Sequence, residues 1–466
     1  MLLKIFNSLS RKVEVFKPNK YPQVGMYTCG PTVYDFAHIG NFRTYILSDI
    51  VQRTLKYLGF RVKSVMNITD VGHLTSDADT GEDKLEKGAR REGKTAWDIA
   101  EKYTKIFLSD AKKLNILAPT VLCKATDHIK EQVELVRKLE EKGYTYKTSD
   151  GIYFDTSKFP NYAKLAKLDL KGLKEGARVE KNPEKKNFTD FALWKFSPKG
   201  KKRDMEWMSP WGKGFPGWHL ECSAMAMKYL GETFDIHLGG VDLKPVHHTN
   251  EIAQSEAVTG KKFVRFWLHG EFVLVDNKKM SKSKGNFYNL KDIEEKGFDP
   301  LALRYLYLNT HYRSKMNFTW KGLEGAQRVL DRLRENVGKW DKKKEHDYGL
   351  STQAQKWNRM FKGELAEDLN MPGVLGALWL MIRDKQIPGW QKYELLKDWD
   401  KVLGLKVDKE KKVEEVNEGS KKLIEKREKL RKQKKWQEAD KIRKEIQAKG
   451  FIIKDTSKGT VVEERK

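Results

Sequence analysis

The chain has 466 residues, 39% hydrophobic and 33% charged, with 35 glycines and 13 prolines, a composition that excludes collagen-like, mucin-like and wholly disordered chains. That length exceeds one compact domain of roughly 100–200 residues, so several units are expected. Lysine and arginine number 91 against 65 aspartates and glutamates, a formal net charge of +26; so large an excess points to a polyanionic partner or to a surface simply decorated with lysine, and its location along the chain must decide.

No stretch approaches the ~18 consecutive apolar residues of a membrane span. The amino terminus, Met1-Leu-Leu-Lys-Ile-Phe6, reaches a lysine before a signal-peptide core is complete. A cytoplasmic protein with no membrane partner is expected. The three cysteines, Cys29, Cys123 and Cys222, are odd in number and widely spaced, which describes reduced thiols or metal ligands rather than a disulfide framework.

Residues 25–29 read as a strand, followed by a turn-rich stretch through Gly30, Pro31 and Gly40. Phe42, Tyr45, Ile46, Ile50, Leu55 and Leu58 then follow helical spacing up to a stop at Gly59, and 61–67 return as a strand. Strand, helix and strand in that order make a βαβ unit and predict a parallel nucleotide-binding sheet. Residues 158–203 carry 14 Lys/Arg against 5 Asp/Glu, consistent with an inserted domain bearing a basic face. Strands are expected at 233–238 and 272–276, with a helix over 247–258 between them. Beyond about residue 320 the pattern turns helical, and 353–405 suggest a bundle. After a linker at 406–420, residues 421–450 read as one helix stopped by Gly450, with 13 Lys/Arg against 5 Asp/Glu. Two β-like pieces, 451–453 and 460–462, close the chain. Such a helix is either a solvated charged surface or a contact for a nucleic-acid backbone.

Two short motifs carry chemistry. His38-Ile-Gly-Asn41 lies where the first helix begins, and Lys279-Met-Ser-Lys-Ser283 lies far downstream. A glycine there permits close approach of ATP, the helix amino terminus favours phosphate, and His38 and Asn41 can donate to it. Lys279 and Lys282 on a loop can neutralise a departing pyrophosphate. The pair resembles the HIGH and KMSKS signatures of class I aminoacyl-tRNA synthetases, with Asn41 standing where many members have a second histidine. The resemblance implies attack of an amino-acid carboxylate on the α-phosphate of ATP, then transfer of the aminoacyl group to tRNA.

Further segments narrow the family. Tyr27-Thr-Cys-Gly-Pro-Thr-Val-Tyr34, Gly217-Trp-His-Leu-Glu-Cys-Ser-Ala-Met225, His247-His-Thr-Asn-Glu-Ile-Ala-Gln254, Lys279-Met-Ser-Lys-Ser-Lys-Gly-Asn286, Asp190-Phe-Ala-Leu-Trp-Lys195 and Asp455-Thr-Ser-Lys-Gly-Thr460 are similar to cysteinyl-tRNA synthetases. The spacing of the cysteines alone leaves structural thiols and metal ligands both open, although an i,i+4 relation does put His247 and Glu251 on one helix face.

The resemblance implies that Cys29, Cys222, His247 and Glu251 hold one zinc ion at the amino-acid pocket, with His248 the rival ligand and Cys123 structural. It implies that Gly30, Thr69, Trp218, His237 and Asp242 surround the substrate, and that Arg431, Asp440 and Asp455 read the anticodon. Zinc suits the task, because serine and cysteine are near-isosteres that shape alone separates by only ~100-fold, whereas a thiolate binds the metal and a neutral hydroxyl does not comparably.

The implied fold is α/β: a Rossmann-type catalytic domain in two halves, 1–120 and 206–320, around an inserted acceptor-end domain at 121–205. A helical stem-contact domain at 321–405 and a small α/β anticodon-binding domain at 421–466 follow. Expected partners are tRNA(Cys), L-cysteine and ATP with Mg2+, and the chain is expected to act as a monomer. A ligase joining cysteine to an amino sugar, or a catalytically silent RNA-binding relative, are the alternatives; the basic carboxyl-terminal segment argues against the first and the intact motifs against the second. One departure stands out: after Asn67-Ile-Thr-Asp70 the family more often has an acidic pair and a lysine, but this chain continues Val71-Gly-His-Leu74 into an acidic stretch with Asp77, Asp79, Glu82 and Asp83. His73 there suggests a second metal site or, more simply, a solvated loop.

Overall fold

The computed structural model describes residues 2–73, 83–166, 183–198, 200, 203–281, 285–342, 349–408, 418–433, 435–448, 451–456 and 459–464. Two compact units are present, Met1–Leu333 with Lys339–Val407, and Arg334–Gly338 with Asp408–Lys466.

In the first unit, β1 (Lys4–Asn7) and β2 (Lys12–Val15) form an antiparallel hairpin. The expected strand, helix and strand follow as β3 (Gln23–Thr28), α1 (Ile39–Tyr57) and β4 (Arg61–Ile68). Helices α2 (Lys84–Glu92) and α3 (Ala96–Lys113) lead to β5 (Val121–Lys124). Helix α4 (Ile129–Glu141) then enters an antiparallel sheet of β6 (Thr145–Thr148), β7 (Gly151–Phe154), β8 (Phe191–Phe196) and β9 (Gly214–Pro216). The chain returns through α5 (Trp218–Leu230), β10 (Phe234–Gly240), α6 (His247–Thr259) and β11 (Val264–Gly270).

The central sheet is parallel throughout, in the order β11-β10-β3-β4-β5. The chain runs from β3 outward to β4 and from β10 outward to β11, so the order reverses between β3 and β10. The crevice beyond the carboxyl ends of strands at such a reversal is where open α/β sheets bind their ligands. Strands β3 and β10 are almost wholly buried at these ends, as two-sided burial of a parallel sheet requires.

The insertion differs from its expected bounds of 121–205. Residues 121–124 pair with β4 and belong to the central sheet, and the antiparallel sheet extends to Pro216. Strand β5 sits at the sheet edge and buries only Cys123, so no hydrophobic run marks it, and β9 is too short to leave a period-2 pattern.

Strands β12 (Val273–Val275) and β13 (Lys278–Lys279) form a hairpin, and helices α7 (Leu290–Glu295) and α8 (Pro300–Leu308) precede β14 (Met316–Phe318), which pairs with β12. Four helices follow: α9 (Trp320–Lys339), α10 (Thr352–Ala366), α11 (Met371–Arg383) and α12 (Gly389–Leu403). Helix α1 is central to this unit and buries charge as well as hydrocarbon. Asp49 Oδ2 accepts from Arg53 Nε at 2.7 Å and from a terminal nitrogen of Arg304, on α8, at 2.5 Å. Both guanidinium groups also donate to carbonyls at Asn115 and at the end of α12, Lys401 and Leu403. A buried carboxylate thus ties three parts of the chain together through two cations.

In the second unit the single helix expected over 421–450 is two, α13 (Glu418–Lys432) and α14 (Trp436–Ala448), followed by an antiparallel pair, β15 (Phe451–Thr456) and β16 (Gly459–Glu464). Neither glycine nor proline marks the break, which is why the sequence hides it. The fold-back buries Ile442 and Ile446 against Leu423, Ile424 and Leu430, apolar contact that a continuous charged helix would leave in water. Among the described residues no helix is long and apolar enough to cross a membrane.

Candidate active site

A cavity of about 320 Å3 lies at the reversal between β3 and β10. Its walls include Cys29, Gly30, Thr69, Trp218, Cys222, Asp242 and His247, together with His38 and Asn41. These nine are among the residues the sequence singles out, and the wall holds others besides. Of the five residues expected around the substrate, His237 does not line the cavity: fully buried, it stands behind Glu251, with its Nε2 2.8 Å from Oε2 and its ring stacked on Trp267 at 4.5 Å. Strand periodicity turns it into the core instead of the crevice.

Cys29, Cys222, His247 and Glu251 converge in one buried cluster. The sulfurs of Cys29 and Cys222 are 3.9 Å apart, Cys29 Sγ is 3.8 Å from Glu251 Oε1, and His247 Nε2 is 3.1 Å from the same oxygen. They come from three pieces of backbone: Cys29 follows β3, Cys222 lies in the first half of α5, and His247 and Glu251 share one face of α6.

The four groups act strongly on one another in the electrostatics of the cluster, where burial pushes the Cys29 thiol well above its usual range. Burial alone would raise the Cys222 thiol, yet hydrogen bonds from Cys29 and His247 outweigh it and bring the group to about 7. Burial likewise opposes ionisation of Glu251, but the His237 and His247 rings hold it down at about 2. His247, which burial would neutralise, is raised to about 10 by Glu251 and Cys222. Surrounding histidines orient these groups: His247 Nδ1 lies 3.0 Å from His219 Nδ1, and Trp218 covers the His247 ring at 4.3 Å. His248, the rival ligand, also approaches Cys29, with Nε2 3.3 Å from Sγ, and completes a second group of Cys29, His237, His248 and Glu251. Its Nδ1 is held by His269 Nε2 at 2.8 Å. Cys123 lies apart from both groups, its thiol 3.6 Å from the Met66 carbonyl oxygen.

At the mouth of α1 the motif residues cap the helix. His38 Nδ1 accepts from the Asn41 backbone N–H at 3.1 Å, and Asn41 Oδ1 accepts from the His38 N–H at 3.0 Å, a reciprocal cap with histidine in place of the usual hydroxyl. Because Nδ1 is the acceptor, the proton of the neutral ring resides on Nε2, which makes that nitrogen a donor. Gly40 also faces the second motif: a Cβ there would lie 2.7 Å from Met280 Cε, the far end of a flexible side chain that can swing aside.

Lys279 is exposed at the end of the β12–β13 hairpin, whose Asp276-Asn277 turn has φ of +49° and +60°. Two such residues in succession suit the twist of a tight hairpin. Lys282 lies outside the described residues.

Gly30 makes a close approach of its own. Its N–H donates to Asn67 Oδ1 at 2.8 Å, and a Cβ would collide with the Asn67 carbonyl oxygen. Gly30→Ala is expected to cost roughly 1–3 kcal/mol by overpacking and to weaken binding in the cavity. A thermal-unfolding midpoint equal to that of the native protein would contradict this.

The departure after Asp70 has a structural outcome. His73 is buried instead of solvated, its Nε2 2.5 Å from Glu221 Oε1 of α5, so it has a carboxylate partner, and among the described residues it joins no metal-like group. Among the other acidic residues of that stretch, Asp77, Asp79 and Glu82 lie outside the described residues. Asp83 caps α2 through the Leu85 and Glu86 N–H groups and pairs with Arg203. The Lys84 N–H donates to the His73 carbonyl at 2.9 Å, so the chain leaves and returns at one place. Lys84, following Glu82 and Asp83 in sequence, thereby reaches the cavity wall beside Tyr34, with its ammonium 5.7 Å from the ring centroid. Tyr34, Asp35, Tyr103 and Phe287 also line the cavity; of these only Tyr34 falls in one of the motifs above.

A family model described as the class I (C) tRNA synthetase catalytic domain matches residues 15–328, and one described as the cysteinyl-tRNA ligase anticodon-binding domain matches 414–462. A cysteine–tRNA ligase of Burkholderia lata is 49% identical over 461 residues, covering 98% of this chain and 96% of its own. One of Treponema denticola is 44% identical, covering 98% of each. The chain belongs to the cysteine–tRNA ligase family. Its fold is also that of a solved methionyl-tRNA synthetase of Mycobacterium tuberculosis, with a TM-score of 0.54, 13% identity, and 82% and 89% of the two chains covered.

As a member of the cysteine–tRNA ligase family, the chain has its carboxyl-terminal unit where the second family model matches. Arg431 lies in the last turn of α13 with its guanidinium 5.9 Å from the ring of Trp436, which is 56% exposed at the start of α14. Asp440 is exposed one turn further along α14. Asp455 lies on β15, opposite Thr460. Sequence reading overlooks Trp436, although an exposed indole beside a cation is a surface on which an unstacked base can lie.

Proposed function

We propose that this chain activates L-cysteine with ATP and transfers the cysteinyl group to tRNA(Cys), using one zinc ion held by Cys29, Cys222, His247 and Glu251. The observation that carries this is a buried cluster with two thiols, opening onto the same cavity as His38 and Asn41. Zn–S bonds of ~2.3 Å and Zn–N or Zn–O bonds of ~2.0–2.1 Å in a tetrahedron give ligand-to-ligand edges of about 3.3–3.8 Å, against 3.1–3.9 Å among the distances above. The alternative group with His237 and His248 fits less well. Neither histidine lines the cavity, whereas Cys29, Cys222 and His247 do, and a metal that must meet a substrate needs the open side.

A zinc ion bound there supplies selectivity for a thiol, which it binds as the thiolate, over a hydroxyl, which stays protonated. The chain's own residues do the rest. Asp242 offers a carboxylate for the substrate ammonium, and Thr69 and Trp218 bound the space around its short side chain. The cysteine carboxylate attacks the α-phosphorus of ATP, which enters with Mg2+; the bond to the bridging oxygen breaks and pyrophosphate leaves. His38 Nε2–H, Asn41 and the α1 amino terminus meet the phosphates, with Lys279 and Lys282 offsetting the charge that develops on the leaving group. A ribose hydroxyl at the tRNA end then attacks the acyl carbon and AMP departs. Arg431, Asp440 and Asp455 contact the anticodon in this reading, while the basic segment at 158–203 faces the acceptor end.

The test is ATP–pyrophosphate exchange and aminoacylation with purified protein. Exchange should require cysteine and tRNA(Cys) should be charged. Absence of cysteine-dependent exchange would overturn the reading, and exchange without any charging would favour an acceptor other than tRNA.

A further inference from the structure

The loop that carries the second motif is rooted on α1 at both ends. Downstream of it, the Ile39 N–H donates to the Tyr288 carbonyl at 2.9 Å, and the His38 ring meets Phe287 edge to face at 5.0 Å. Upstream, one side chain gathers four backbone carbonyls. Arg43, in the second turn of α1 and 5% exposed, donates through Nη1 to the carbonyls of Glu271 and Phe272, both at 2.9 Å. Through Nη2 it donates to the carbonyls of His311 at 3.1 Å and Ser314 at 2.7 Å. Glu271 and Phe272 immediately precede β12, the strand paired with β13 and hence with Lys279; His311 and Ser314 precede β14, the parallel partner of β12. One planar cation therefore holds the roots of both strands, two residues beyond Asn41 on the same helix.

We propose that Arg43 is a positioning residue that fixes the Lys279-bearing hairpin in register with the amino terminus of α1, so that both motifs meet one triphosphate. This rests on the ATP-dependent activity proposed above and extends it to a residue that touches no substrate. The guanidinium suits the role because its donors lie in one plane and fork toward separate acceptors, which an ammonium cannot reproduce. Burial lowers its pKa only to about 10, so the group stays charged at neutral pH. The zinc cluster comes from other backbone segments and makes no contact with the carbonyls that Arg43 holds, so disturbance of Arg43 should reach the phosphates and spare the thiol.

The experiment is steady-state ATP–pyrophosphate exchange on wild type, Arg43→Lys and Arg43→Gln, with zinc content measured on each. Wild-type activity comes first: its absence counts against the proposed function and not against Arg43 alone. Given an active wild type, a displacement near 1 Å at the phosphates should lower kcat by roughly 100-fold and raise KM for ATP. Zinc content and KM for cysteine should stay within about twofold of wild type, the signature of an effect confined to one substrate. In a Lys279→Ala background the same Arg43→Lys change should lose most of its effect, since contacts acting as one unit are non-additive. A folded variant with unchanged ATP kinetics overturns the proposal. So does a parallel rise in KM for both substrates, or full additivity with Lys279→Ala.

Discussion

Cys222→Ser is expected to lower zinc affinity by roughly 100-fold or more, since even outer-shell changes around a metal cost 10–100-fold, and to raise the KM for cysteine correspondingly. The reason lies in how the cluster is charged. Cys222 is the thiol most ready to ionise, at about 7, because Cys29 and His247 hydrogen-bond it against the penalty of burial. A serine hydroxyl in its place stays protonated and leaves Cys29, His247 and Glu251 short of one soft anionic donor. KM for ATP should move little, because His38 and Asn41 are held by their own reciprocal cap. Metal analysis beside exchange kinetics checks this; full zinc occupancy in the variant would remove Cys222 from the ligand set.

The largest stability effect is expected at Asp49. Asp49→Ala leaves Arg53 and Arg304 without the carboxylate both share, and Arg304 has no exposure at all. Removing one partner of a buried ionic group costs roughly 3–5 kcal/mol, mostly as the penalty of stranding the remaining charge. Asp49 also accepts from the Leu117 N–H at 2.8 Å, which adds an orphaned donor. Gly404 shows how little slack the site has, for a Cβ there would lie 2.6 Å from an Arg304 terminal nitrogen. Denaturant unfolding should show a lower midpoint with an unchanged slope, and a loss below about 1 kcal/mol would mean that the surrounding carbonyls suffice to hold both cations.

Much of this molecule is legible in the sequence because the chemistry sits at strand ends and helix starts. Cys29, His38 and His247 each fall where a βα connection must pass the crevice, so a strand reading and a motif reading locate them together. What the sequence hides depends on partners far along the chain. His73 reads as a loop residue until Glu221 arrives from α5 to bury it. Arg43 reads as an ordinary polar helix position, and its acceptors lie more than 220 residues away. Gly40 is legible as an opening for a ligand, but its neighbour proves to be Met280 as well. His237 stands behind Glu251 instead of on the cavity wall, a contact supplied by α6 that the strand pattern does not show. The break between α13 and α14 is invisible for another reason: the charged flanks share one composition, and only burial of Ile442 and Ile446 selects a hairpin.

The measurement that tests the central claim most directly is ATP–pyrophosphate exchange with cysteine and serine side by side, before and after chelation, with zinc determined in each sample. A metal-selected thiol predicts one zinc per chain and a preference for cysteine well beyond the ~100-fold that shape alone provides. It also predicts loss of cysteine activation on chelation and its return with zinc. Comparable exchange with serine, or cysteine activation that survives complete removal of the metal, would contradict it.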